Sequence, residues 1–498
     1  MTYFLHFGNA LPNYSRLMPP ARQITLGRAS QWPATRINPA SSSVSTRKAS
    51  KAAPSTDRFE KSTESTRLYA AIHKLLPPAG QKQLEQLLEK GILHQSKAED
   101  GHSTLYHLHA LVNKPRQKGY QGAELLREIV EILAQPSVIT QTIGPLSDDA
   151  IRKILAYRQH PETDPQHGTL KTRSLRPVTA QDLDVEVSAS CVAACLMYCL
   201  AVKEPAELAR HIAELTSPTN SFSKKTSFKQ ISPDAPEKAV EILKAKGIPF
   251  RQSGKNELTL QVQVPTAGVI RAIEDQHAER GTYHRNAVES IYQSALMHLA
   301  TNTYDPATDF RGEMHNPNNI SKGLSADEKT FLETILRGEV KTITYQSIVY
   351  NETPGKEGNY LQGYHRTFEE TQADVKAELD KGNFVIVGLL DTDNKAKIDV
   401  GHEVTLTKAF HDPATGKLKF LLADSHNDIP NLVTEDASEL IPRIHHATLP
   451  AKHARPIVEK IARLSGILVP DEHDEKKYTI PTILKPTKTE LPNPFRKG

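Results

Sequence analysis

"SASCVAACLMYCL", residues 188–200, holds every cysteine of a 498-residue chain. Cys191, Cys195 and Cys199 recur every four positions, a spacing that lines them along one side of an α-helix. Three readings account for such a stripe: a buried helix face built from small residues, a metal site, or one catalytic thiol with two packed neighbours. The metal reading fits poorly, because zinc sites draw their thiolates from paired knuckles with about two to four residues between ligands. Cross-linking fits no better, since thiols one turn apart on a straight helix do not meet in disulfide geometry. An odd, clustered set is not a secreted disulfide framework, so the three read as reduced thiols. Ser188 and Ser190 stand just ahead of the apolar run as N-cap candidates, which places Cys191 in the first helical turn. There the helix dipole and the free N–H groups favour a thiolate. Cys195 and Cys199, one and two turns further on, are expected to pack inward like small hydrophobes.

The composition frames the choice. A chain of this length exceeds one ordinary core and predicts several domains. Hydrophobic residues make up 38%, mean hydropathy is -0.48, and the net charge is +4. So small a charge over such a length lacks the dense basic stripe of a nucleic-acid binder. No run of 18 or more apolar residues predicts a membrane span.

Residues 1–58 read as a disordered N-terminal segment. The first 56 carry no Asp or Glu but seven basic residues, and "NPASSSVSTRKASKAAPST" is dominated by Ser, Thr, Ala and Pro. Such a start suits an organelle transit peptide or the export signal of an injected bacterial effector, and equally a passive tail. Residues 59–165 read as a helical module, from apolar spacing in "STRLYAAIHKLLPP", "GQKQLEQLLEKGIL" and "GAELLREIVEILAQ". A catalytic domain is expected over 166–450, with a helical insertion around 201–345. Residues 451–498 are expected to form a C-terminal helix and an extended tail. Capping boxes at Ser325/Glu328 and Thr367/Glu370 mark two helix starts. Strands are predicted in "LTLQVQV", "TITYQSIVY", "FVIVGLL", "HEVTLTKAF" and "LKFLLAD"; "TSPTNSFSKKTSFKQISPDAP" reads as loop.

A thiol nucleophile needs a base, and the base needs an orienting group. Residues 383–428 offer both. The buried-type strand "FVIVGLL" leads to His402, which opens a second strand; Val404, Leu406 and Phe410 are read on one face, and Glu403, Thr405 and Thr407 on the other. "HDPATGK" turns the chain, and the returning strand ends at Asp424. The hairpin therefore brings Asp424 back beside His402. Asn427 and Asp412 are the rival orienting groups. His102, His107 and His109 in "HSTLYHLHAL" match no zinc spacing and read as structural.

With these residues in view, the chain resembles the papain-like cysteine peptidase superfamily. It is most similar to the branch of bacteriocin leader-peptide-processing peptidases, and its layout to papain-like bacterial effectors. "SCVAACL" and "GNFVIVGLL…GHEVTLTKAF…FLLADS" carry the resemblance. It implies an α+β papain-like fold, in which a catalytic Cys at a helix N-terminus packs on an antiparallel sheet carrying His and Asp. It implies Cys191 as nucleophile, His402 as base and Asp424 as orienting residue, with no metal or cofactor. Val192 stands where the family has Gly, and position 185 is a Val where it has an oxyanion-stabilising Gln, which leaves Gln181 as the oxyanion candidate. The function implied is a cysteine hydrolase, most simply a peptidase acting on a protein or peptide substrate and secreted by a bacterium. The same triad serves deamidation and acyl transfer, and an inactive papain-like scaffold is the non-enzymatic alternative.

Overall fold

A computed structural model describes residues 63–144, 146–159, 188–232, 235–277, 284–301, 304–305, 310–311, 323–351, 358–392, 397–426 and 431–464. The expectations for the N-terminal segment, for Gln181 and Asn427 and for the extended C-terminal tail lie outside these residues. The chain divides into two compact units, one of residues 10–66 and one of the remainder. Of the first, only Thr63–Thr66 are described, as the opening turn of a helix. Everything that follows concerns the second.

Six helices come first: α1 (Thr63–Leu75), α2 (Pro78–Glu89), α3 (Ile92–Gln95), α4 (Thr104–Asn113), α5 (Gly122–Ala134) and α6 (Asp148–Gln159). Pro78 begins α2 at the position where a missing N–H costs nothing. The cysteine helix α7 (Cys191–Lys203) runs directly into α8 (Pro205–Leu215). Next come β1 (Ser221–Ser227), α9 (Phe228–Ile231), α10 (Ala239–Ala245), β2 (Phe250–Gln252), β3 (Glu257–Gln263), α11 (Thr266–His277) and α12 (Ala287–Ala300). The short strands β4 (Tyr304–Asp305) and β5 (Phe310–Arg311) precede α13 (Ala326–Arg337), β6 (Val340–Thr344), β7 (Gln346–Asn351) and β8 (Gly358–Tyr364). The last stretch holds α14 (Phe368–Leu379), β9 (Val385–Thr392), β10 (Ile398–His411), β11 (Leu418–Ala423), β12 (Leu432–Asp436), α15 (Ala437–Leu440), β13 (Ile444–Pro450) and α16 (Ala451–Leu464).

The class is α+β. An antiparallel six-stranded sheet runs β12-β11-β10-β9-β13-β6, and β1-β3-β2 form a smaller one. Helices cover both faces of the large sheet. On one face Ile386 and Ala423 join α7, α8, α12, α13 and the front helices in a single core. On the other, Val385, Val387, Val404, Leu406, Phe420 and Leu422 pack against Val375 and Leu379 of α14 and Ala454 and Ile457 of α16. The front helices thus share their core with the cysteine helix.

Four expectations are corrected. The stretch over 342–350 is two strands, because Tyr345 turns the chain out of the sheet. Its N–H donates to the His445 carbonyl and its own carbonyl accepts from His365 N–H, both at 2.7 Å. The segment read as loop over 216–236 contains β1 and α9, since its alternation pairs with β3 in the smaller sheet. Within β10 the register slips between Leu406 and Lys408, so Thr407 is the extra residue of a bulge. Beyond it Ala409, rather than Phe410, packs on the core side with Val404 and Leu406. The strand also starts at Ile398, so His402 lies inside it.

Candidate active site

From Val192 to Ala201 every residue of α7 is buried, so this helix is enclosed on all sides by its neighbours. Cys195 and Cys199 are 2% and 4% exposed, and burial pushes both thiols up. Cys195 Sγ donates to the Glu403 carbonyl at 3.4 Å, tying α7 to β10 beside His402. Cys191 is different. It is the first residue of the helix and is only partly buried.

His402 is paired with Leu389 of β9, deep in the sheet register. Its Nε2 lies 2.6 Å from Asp424 Oδ1, and the Cys191 side chain is near enough to the ring to raise its pKa. With Nε2 taken by the carboxylate, Nδ1 is the nitrogen left for the thiol. The structure therefore brings Cys191, His402 and Asp424 together in the order thiol, imidazole, carboxylate. Burial works against a charged ring at His402. The hydrogen bond to Asp424, then the hydrogen bond and charge of Cys191, reverse this and raise its pKa to about 10. For Asp424 burial works upward, but the His402 hydrogen bond and charge, with the His426 N–H, hold it below its ordinary range. His426 lies exposed beside the pair, its ring edge-on to His402 with centroids 5.7 Å apart. Of the rival orienting groups, Asp412 sits at the hairpin turn and pairs with Lys419 at 2.9 Å.

Glu403, next to His402, is clamped from the other side of β10. Its carboxylate takes Lys329 Nζ at 2.6 Å and His446 Nε2 at 2.7 Å. Burial alone would raise its pKa, and Lys329 and His446 together hold it far below the ordinary carboxylate range. The His446 ring lies over Gly388 of β9, where any Cβ would collide with it.

Two glutamines that sequence reasoning missed complete the surroundings. The segment after α5 runs between the cysteine turn and the aspartate loop. The Gln141 carbonyl accepts from Ser188 N–H and Oγ, and its N–H donates to the Ser425 carbonyl at 3.0 Å. Gln141 Oε1 accepts from Ser425 Oγ at 3.3 Å, and among the described residues its Nε2 has no hydrogen-bond partner. Asn431, whose carbonyl accepts from Asp424 N–H, donates back to the Ser137 and Ile139 carbonyls. Gln293 of α12 is fully buried and bonds Ser190, the residue before Cys191. Nothing singled out Gln293 among the polar residues of "AVESIYQSALMHLA", and for Gln141 there was no signal either.

Among the described residues no group of three or more His, Cys, Asp or Glu could hold a metal ion. No described helix is long and apolar enough to cross a membrane. No protein-family model matches the chain, and neither a curated protein nor a solved structure matches it at a significant level.

Proposed function

We propose that this protein is a papain-like cysteine hydrolase, most simply a peptidase, with Cys191 as nucleophile, His402 as base and acid, and Asp424 as the orienting carboxylate. The observation that carries the reading is His402, bonded to Asp424 at 2.6 Å on one side and raised in pKa by Cys191, the first residue of α7, as well as by Asp424. In this reaction His402 takes the Cys191 proton, giving a thiolate beside an imidazolium that a ring pKa raised to about 10 stabilises. The thiolate attacks the substrate carbonyl carbon, and the carbonyl electron pair moves to oxygen. The Cys191 N–H is the first donor to that oxyanion, and the Gln141 amide, whose backbone carbonyl binds Ser188 just ahead of the cysteine, is the side-chain candidate. His402 then gives its proton to the departing amine, leaving a thioester. Water attacks the thioester while His402 takes its proton, and the acid leaves with the thiolate restored.

Deamidation and acyl transfer share the first half of this sequence and differ only in what departs and what attacks second. The acid-free, Ser-rich start over the first 56 residues supports secretion by a bacterium, into a host cell, as the accompanying localisation. The second reading, an inactive binding scaffold, is favoured by Val192, a bulkier residue than the family's Gly beside the nucleophile. Mass-spectrometric mapping of iodoacetamide labelling at pH 6 separates the two. A hydrolase labels Cys191 far faster than Cys195 or Cys199 and loses that preference in His402→Ala. Equal, slow labelling of all three sites identifies the scaffold.

A further inference from the structure

Ser190 occupies the N-cap position of α7 and makes no cap. Among the described residues five other helices are capped by a side chain: α4 by Ser103, α9 by Ser227, α12 by Asn286, α13 by Ser325 and α14 by Thr367. All five capping residues are extended, with ψ of 164°, 160°, -179°, 163° and 163°. That conformation swings the side-chain oxygen over the first-turn N–H groups. Ser190 instead sits at φ -97°, ψ 19°, in the bridge region, and its hydroxyl turns to Gln293 Oε1 at 2.6 Å, with Ser188 Oγ also at 2.5 Å. Ser190 and Gln293 are both 0% exposed, so no water can take the place of either partner. The far end of the Gln293 amide is fixed as well: Nε2 donates to the Thr140 carbonyl at 2.8 Å, which leaves Oε1 as the end that faces Ser190. Thr140 is itself held, its N–H by Glu289 at 2.7 Å and its hydroxyl by the Ser425 carbonyl at 2.9 Å.

The ψ angle of Ser190 sets the plane of the peptide bond that joins it to Cys191, and so the direction of the Cys191 N–H. We infer that Gln293 is a positioning residue: by drawing the Ser190 hydroxyl away from the helix it holds that peptide plane, and so aims the Cys191 N–H at the oxyanion. The inference rests on the hydrolase reading. Without the Gln293 bond, Ser190 is expected to relax to the extended N-cap conformation of its five counterparts and to rotate the Cys191 N–H out of line.

Two reagents on the full chain separate this role from a general loss of structure. Iodoacetamide alkylates the thiolate without forming an oxyanion, whereas p-nitrophenyl acetate acylates it through one. Gln293→Leu is expected to leave Cys191 alkylation near the wild-type rate and to slow acylation by about 100-fold, the usual effect of one lost oxyanion donor. Ser190→Ala, which has no hydroxyl to cap with, is expected to acylate like the wild type. The double variant Ser190→Ala/Gln293→Leu should recover most of the acylation rate. The inference is overturned if Gln293→Leu slows both reactions equally, if its acylation is unchanged, or if the double variant stays as slow as Gln293→Leu. It is overturned independently of how that variant folds if Ser190→Ala alone loses acylation. If wild-type Cys191 reacts with neither reagent in preference to Cys195 and Cys199, the hydrolase reading falls, and this inference with it.

Discussion

Replacing Asp424 by Asn isolates the charge of the site from its shape. The Asn side chain keeps an oxygen where Oδ1 now accepts from His402 Nε2 and from the His426 N–H, so the ring remains seated while the negative charge goes. In the wild type the His402 pKa is raised from 6.5 to about 10 against the opposing effect of burial. At about 1.4 kcal/mol for each tenfold change in proton affinity, that rise is on the order of 5 kcal/mol in favour of the imidazolium. Asp424 supplies the largest favourable contribution, ahead of Cys191. With the carboxylate gone, burial regains weight and the His402 pKa is expected to fall several units, toward 6.5. NMR titration of the imidazole resonances reads this directly, with the His402 signal assigned by its disappearance in His402→Gln. The linkage has a definite sign. A raised histidine pKa stabilises the folded state fully below 6.5, and this contribution disappears as pH rises through about 10. Asp424→Asn should therefore lose stability relative to wild type at pH 6, with the gap closing above pH 10. A His402 that titrates near 6.5 in the wild type, or still near 10 in Asp424→Asn, refutes this account of the pair.

Four further outcomes are expected. Gln141→Ala should slow acylation of Cys191 by about 10- to 100-fold with little change in alkylation, as read by p-nitrophenolate release beside iodoacetamide labelling. Lys329→Met strands the buried Glu403 carboxylate against β10 and should cost about 3–5 kcal/mol in urea unfolding at pH 7. Because the Glu403 pKa is depressed, its contribution is present above about 4.5, and the difference between Lys329→Met and wild type should shrink as pH falls below that value. Gly388→Ala drives a methyl group into the His446 ring and should lower stability by about 1–3 kcal/mol, measurable as a lower urea midpoint.

The local parts of this molecule could be read from the chain alone. Apolar spacing at three and four residues marked α2, α5, α13 and α14, because a helix buries one face and that face recurs with its own period. Ser325 with Glu328 and Thr367 with Glu370 marked two helix starts, since a capping box is satisfied within four residues. The meeting of His402 with Asp424 was also legible, because a tight hairpin fixes which residues return beside one another. What lay beyond sequence depended on chains that meet from far apart. Nothing local announced that Lys329 would neutralise Glu403, that Gln141 would lie between Ser188 and Ser425, or that Gln293 would claim the Ser190 hydroxyl. The sequence offered Ser190 as a cap on sound local grounds; a buried amide from another helix turned its hydroxyl away from the first-turn N–H groups instead. Local hydrogen-bonding preferences are worth about 1 kcal/mol, and a satisfied buried partner overrides them. Periodicity and turn chemistry determined the elements and the histidine–aspartate pair, while packing decided which polar groups were left facing Cys191.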